Sequence, residues 1–336
     1  MSSTPLHSVP SAAAAFDAGR IEVGHGHRIY YEQAGAADGI PVVLLHGGPG
    51  SGASARQRDI LDGARYRIVQ FDQRGCGRSE PLGATAHNHT GALIDDIEAL
   101  RRHLGVERWL VAGGSWGASL ALAYAARHRE RVTGLLLRGV FLTGRDDLDW
   151  FFHGVAALEP EANADFLRIV PRTWQRNVAF WLDRCFARDD PRCAEIAGVW
   201  QTYESRLSGD RPRSPSAPAP STPTGDAAIR LVAKYRVQSH YLARRCFLGE
   251  AAMMQAAGAL RGLPVAIVHG DNDRVCRPSN AWRLHRSSAG SRLAWAVGAG
   301  HNPWHPAMLA LMRGASDRFA ATGDFSDGSG AEHGGA

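Results

Sequence analysis

The sequence predicts an α/β fold: a mostly parallel central sheet flanked by helices, with a helical segment inserted. Three observations lead there. Short apolar runs recur at 41–45 (PVVLL), 66–71, 109–112, 132–137 and 263–269. Runs of this kind suit strands buried on both faces, as parallel strands are. Helix-spaced stretches separate most of them, which is the alternation of an α/β sheet. That alternation breaks from 141 to about 260, where the chain turns helical and aromatic-rich, and then resumes.

At 336 residues, with 44% hydrophobic and 21% charged residues, the chain suits one large domain with an insertion. The expected division is a core at 1–140, a helical cap at 141–260, the rest of the core at 261–321 and a flexible tail at 322–336. A net charge of +5 is mild, and no basic stripe interleaves with aromatics, so nucleic acid is not an expected partner. Five cysteines lack C-x-x-C or Cys/His metal spacing. No metal and no cofactor is therefore expected, and reduced thiols suit a cytoplasmic protein. The first residues lack the basic and apolar regions of a secretory signal, and no run reaches membrane-spanning length. Oligomeric state has no sequence signal.

In chain order, 21–23 and 28–32 read as a hairpin around Gly24-His25-Gly26. The run 41–45 ends in His46-Gly47-Gly48-Pro49-Gly50, and 66–71 ends in a second glycine-rich turn through Ser79. Thr90 is the expected N-cap of a helix whose apolar face is Leu93, Ile94, Ile97, Leu100 and Leu104. Strand 109–112 stops at Gly113-Gly114-Ser115-Trp116-Gly117, and a helix follows to about His128. Within the insertion most aromatics are expected to pack a core and a minority to line a pocket. Its Pro/Ser-rich stretch at 208–225 reads as an irregular loop. The final units are a strand at 263–269, a helix at 278–287, a strand at 292–297 and a helix at 306–320.

The chemistry centres on Ser115. A G-x-S-x-G between strand and helix is a nucleophile elbow: the turn is strained, small neighbours avoid collision, and the hydroxyl stands exposed at a helix N-terminus. A serine hydroxyl needs a base within hydrogen-bond reach. His301 follows the last strand and Asp273 the one before it, so Ser115, Asp273 and His301 stand in the order of the α/β-hydrolase triad. His301 is expected to take the serine proton and Asp273 to hold the imidazole tautomer. Asp271 competes for the carboxylate role. The expected oxyanion-hole donors are the N–H groups of Trp116 and Gly48. Epoxide hydrolases and haloalkane dehalogenases need an aspartate at the elbow, and Ser115 argues against them.

HGGPG, FDQRGCGRS, GGSWG, LALAYA, HGDNDRVCRPSNAW and GAGH together resemble the proline iminopeptidase (prolyl aminopeptidase) family. The likeness spans 16–145 and 263–306, with patches in the cap. It implies the α/β-hydrolase fold and a cytosolic, metal-free serine peptidase that removes N-terminal proline from small peptides. In that family acidic cap residues hold the free amine. One lies in a Trp-x-x-Trp-Glu pattern, matched here by Trp200-Gln201-Thr202-Tyr203-Glu204, so the role carries to Glu204. A second lies in Arg-Ile-Glu-Asn-His-Tyr-Phe, where this chain has Arg236-Val237-Gln238-Ser239-His240-Tyr241-Leu242. Gln238 accepts a hydrogen bond but carries no charge. Either Glu204 suffices for the amine, or the pocket serves a neutral small amide or ester as an amidase or esterase.

Overall fold

A computed structural model describes residues 14–209 and 223–326. Eight strands form one sheet in the order β1-β2-β4-β3-β5-β6-β7-β8. They are β1 (Ala15–Glu22), β2 (Arg28–Gly35), β3 (Ile40–Leu45), β4 (Tyr66–Phe71), β5 (Trp109–Gly114), β6 (Val132–Arg138), β7 (Val265–Gly270) and β8 (Arg292–Ala296). The expected hairpin joins β1 to β2, turning through Gly24, His25 and Gly26, all at positive φ. β2 is antiparallel to both neighbours, whereas every pairing from β4 through β3 to β8 is parallel.

The apolar runs are continuous because their two faces enter different cores. Val43 and Leu45 of β3, Val111 of β5 and Ile267 of β7 join one cluster; Val42, Leu44, Leu110, Ala112, Ala266 and Val268 join the other. Side chains alternate across a strand, so both positions of each pair must be apolar. Helices α1 (Thr90–His103) and α2 (Trp116–Arg127) contribute to the first core, and α10 (Pro306–Thr322) closes the second with Met308, Met312 and Phe319. Each fully buried Leu, Ile or Met contributes ~1.5–3 kcal/mol relative to exposure.

Two local expectations are corrected. His89, not Thr90, caps α1: its Nδ1 accepts the Ala92 N–H at 3.2 Å. Thr90 is already the first residue of the helix, and its hydroxyl donates to the Cys246 carbonyl. The segment after α10 is not frayed where it is described, because Phe325 is buried against Phe319 with ring centroids 5.0 Å apart. Residues 327–336 lie outside the described residues.

Between β6 and β7 run α3 (Arg145–Phe152), α4 (Pro160–Leu167), α5 (Val178–Ala187), α6 (Cys193–Ser208), α7 (Gly225–Ala243) and α8 (Glu250–Ala259). α5 and α6 pack on α7, while α8 packs on α2 and on α9 (Pro278–Ser287). Aromatics fill the interior of this segment: Phe166 stacks on Tyr203, and Trp200 packs at a tilt on Tyr235, each with ring centroids 4.6 Å apart. Phe180 departs from the expected core, being 56% exposed. Most of the Pro/Ser-rich stretch, 210–222, lies outside the described residues.

Candidate active site

The elbow forms where β5, α2 and the end of β3 converge. Ser115 has φ 56° and ψ −124°, a left-handed backbone that strains any non-glycine residue. A Cβ on Gly113 would strike the Gly117 carbonyl, and one on Gly117 would strike the carbonyl of Leu45. Strand and helix approach too closely there for any side chain. We expect Gly117→Ala to destabilise the fold by ~2–3 kcal/mol, the cost of forced overpacking. A lowered urea midpoint at unchanged slope checks this.

The two other glycine-rich turns brace the elbow. His46 Nε2 accepts the Gln73 N–H at 3.0 Å, and Gln73 Nε2 donates to the His46 carbonyl at 3.0 Å. Gln73 Oε1 then accepts the Trp116 indole N–H at 2.8 Å. Burial lowers the pKa of His46, which keeps it neutral and able to accept. Arg74 is bidentate to Asp96 at 2.7 Å and also reaches the carbonyls of His87 and Val23. The FDQRGCGRS residues therefore act as a scaffold, tying the 46–50 turn to the elbow. Among the described residues, no acceptor takes the N–H of Gly47, Gly48 or Trp116.

His301 and Asp273 meet. His301 Nδ1 lies 2.7 Å from Asp273 Oδ2, and since a carboxylate only accepts, Nδ1 carries the proton. Burial alone pushes the Asp273 carboxyl up. The His301 imidazole, through charge and hydrogen bond, together with His269 and the Cys276 N–H, offsets this and holds it below the usual carboxylate range. Asp273 Oδ1 accepts the N–H groups of Val275 and Cys276 at 2.9 and 2.8 Å. Asp271, the competing carboxylate, is exposed and accepts from Gly298 instead. Ser115 and His301 line one cavity of about 270 Å³. In this conformation Ser115 Oγ faces Cys276 Sγ at 4.0 Å, and among the described residues no hydrogen bond joins it to His301. Such bonds are often long without substrate and tighten when it docks.

Several residues around this pair had no sequence argument behind them. Arg138, at the end of β6, takes the Ser115 N–H on its carbonyl at 2.9 Å and donates from Nη1 to the His301 carbonyl at 2.7 Å. Gly139 follows at φ 55°; a Cβ there would lie 3.0 Å from the His301 ring. His269 accepts the Val140 N–H and lies 3.0 Å from the Cys276 carbonyl, bracing the turn under Asp273. The available signal was a charged residue and a glycine closing an otherwise apolar strand.

Across the cavity, α6 and α7 bring Glu204 and Gln238 together. Gln238 Nε2 donates to Glu204 Oε1, and the Tyr235 hydroxyl donates to Oε2 at 2.8 Å. Burial, and then the Glu204 charge, push the Tyr235 phenol well up, so it stays a donor. The amide nitrogen of Gln238 must face the carboxylate, which leaves Oε1 on the other side. Gln238 is 5% exposed, and its Oε1 has no partner among the described residues. Gly50, at φ 110°, lets the backbone of α7 approach the 46–50 turn; a Cβ there would strike the Lys234 carbonyl. The apolar wall comes from Phe141, Leu148, Phe151, Leu242 and Val275.

A family model for the alpha/beta hydrolase fold matches residues 40–305. The proline iminopeptidase of Xylella fastidiosa (strain Temecula1 / ATCC 700964) is 38% identical over 310 residues, covering 90% of this chain and 96% of that relative. The chain belongs to the proline iminopeptidase family. Within that family, the Xanthomonas citri enzyme is 38% identical over 91% of this chain and 97% of its own length. The Arabidopsis thaliana one is 35% identical over 91% of this chain and 80% of its own. Solved structures share the fold at lower identity. A proline iminopeptidase-related protein from Thermus thermophilus has a TM-score of 0.56 at 23% identity, covering 91% of this chain and 97% of that one. A haloalkane dehalogenase loop variant from Bradyrhizobium elkanii has 0.61 at 21%, covering 91% and 96%. This iminopeptidase-family chain is a hydrolase of the α/β-hydrolase fold. No helix among its described residues is long and apolar enough to cross a membrane.

Proposed function

We propose that this enzyme releases N-terminal proline from small peptides through a Ser115–His301–Asp273 triad and an acyl-enzyme. The observation that carries the reading is the 2.7 Å His301–Asp273 contact on the wall of the cavity that also holds Ser115. Ser115 Oγ attacks the prolyl carbonyl while His301 Nε2 takes its proton. The N–H groups of Gly48 and Trp116 receive the oxyanion. His301 returns the proton to the leaving amine as the C–N bond breaks, and water then releases proline by the same route. The helical segment 141–260 acts as the cap that carries amine recognition.

A prolyl ammonium has two N–H donors. An ionised carboxylate offers about four acceptor positions. The chain's own donors from Lys234, Tyr235 and Gln238 occupy three at Glu204. One position at Glu204 stays vacant for the first substrate donor, and the second needs the position that Lys234 holds. We expect Glu204→Gln to raise KM for prolyl-naphthylamide ten- to a hundredfold, since hydrogen bonds to charged groups contribute ~1.5–3 kcal/mol. Initial rates across substrate concentration check this. The reading carries a cytoplasmic setting, supported by five buried cysteines with free thiols.

The second reading, an amidase or esterase indifferent to a free amine, is favoured by one observation: Gln238 is neutral and Lys234 balances the Glu204 charge. The deciding experiment compares kcat/KM on prolyl-naphthylamide, its N-acetylated form and a p-nitrophenyl ester. Preference for the free amine supports the peptidase; equal or better turnover of the capped amide or the ester supports the alternative.

A further inference from the structure

The sequence holds 38 lysines and arginines, and only one of them, Lys234, is a lysine. It stands in the substrate cavity. Its Nζ lies 3.5 Å from Glu204 Oε2, 3.4 Å from the Tyr235 hydroxyl and 4.6 Å from the centre of the Tyr235 ring. Lys234 and Gln238 are four residues apart on α7, so both project from one helix face toward Glu204. The ion pair is partly screened, with side chains 24% and 21% exposed.

We propose that Lys234 is a built-in competitor for the substrate's ammonium, and that its hold on Glu204 sets the selectivity of this site between charged and uncharged substrates. The proposal rests on Glu204 being the amine's anchor. The charge argument is direct. Glu204 with Lys234 sums to zero, and Gln238 adds nothing, so an arriving ammonium meets a carboxylate already neutralised by a primary ammonium. A compact ammonium on a flexible four-carbon stem can be displaced toward solvent, whereas a guanidinium held by a bidentate fork releases less readily. The pair therefore tolerates exchange. A proline substrate must displace Lys234 from Glu204, and this raises its KM. A substrate with no amine leaves the pair closed and meets no such cost.

The test uses the full-length enzyme with Lys234→Met and Lys234→Arg. Methionine keeps the stem length and the helix propensity without the charge. Three constants are measured: KM for prolyl-naphthylamide, KM for p-nitrophenyl acetate, and Ki for pyrrolidinium against p-nitrophenyl acetate hydrolysis. In Lys234→Met the prolyl KM and the pyrrolidinium Ki are expected to fall about fivefold, or ~1 kcal/mol, the upper range for a partly exposed pair. The ratio of prolyl to acetate KM falls with them, and Lys234→Arg does not lower either constant. A Lys234→Met enzyme with unchanged or weaker pyrrolidinium binding, or with both substrates shifted by one factor, overturns the proposal. A wild-type enzyme that hydrolyses p-nitrophenyl acetate but neither cleaves prolyl-naphthylamide nor binds pyrrolidinium overturns the amine-subsite reading as well.

Discussion

Replacing Ser115 with alanine is expected to lower kcat by about 10⁶-fold, the scale seen when a triad serine is removed from an enzyme whose triad acts as a unit. No other side chain among the described cavity residues is expected to replace the proposed nucleophile. The Cys276 thiol lies nearest, but burial, and then the Asp273 charge, push its pKa well above the ordinary value, so it is not a thiolate. The fold is expected to stand. Ser115 Oγ has one weak partner, and alanine suffers the same positive-φ strain as serine, so the thermal midpoint should not move. Turnover within tenfold of wild type in a contaminant-free preparation would remove Ser115 from the mechanism. Labelling by a fluorophosphonate gives an independent readout: Ser115 is modified in the wild type, and the label is lost in the variant.

Asp273→Asn should cost about 10⁴-fold in kcat with little change in KM, because it reverses the imidazole tautomer. The geometry dictates how. Asp273 Oδ1 accepts two backbone N–H groups, from Val275 and Cys276. An asparagine carbonyl must take that position, which turns its NH₂ toward His301. His301 Nδ1 then has to accept, the ring proton moves to Nε2, and the nitrogen facing the cavity can no longer receive a proton from Ser115. A pH–rate profile separates this from simple misfolding. If the variant is folded and retains wild-type kcat, Asp273 does not orient the base.

Much of this fold was legible in the chain because its signals are local. A parallel strand buried on both faces reads as an apolar run, and β3, β5 and β7 do, as does the Leu135–Leu137 stretch of β6. Ser115 was legible because strand, small residues and helix meet within a few positions. The role of Thr90 was not: it is itself helical, and the partner of its hydroxyl, the Cys246 carbonyl, lies 156 residues away. The scaffold role of Gln73 and Arg74 was hidden for the same reason: a glycine-rich turn announces its backbone, not where its polar side chains end.

The sequence by itself determined the α/β alternation, the order of Ser115, Asp273 and His301, and the family. Those follow from periodicity, short motifs and chain order. Only the tertiary structure decided which aspartate faces His301, since Asp271 and Asp273 are two residues apart and differ only in where the turn aims them. It also decided that Arg138 holds both the Ser115 and His301 segments, and that a side chain at Gly139 would crowd the imidazole. The pairing of Lys234 with Glu204 belongs to the tertiary structure too. A lone lysine on a helix reads as a solvated charge, and no local pattern says that α6 and α7 will turn it into a cavity beside a carboxylate 30 residues earlier. Electrostatic partnership depends on distance in space, which chain spacing does not encode once the partners sit on separate helices.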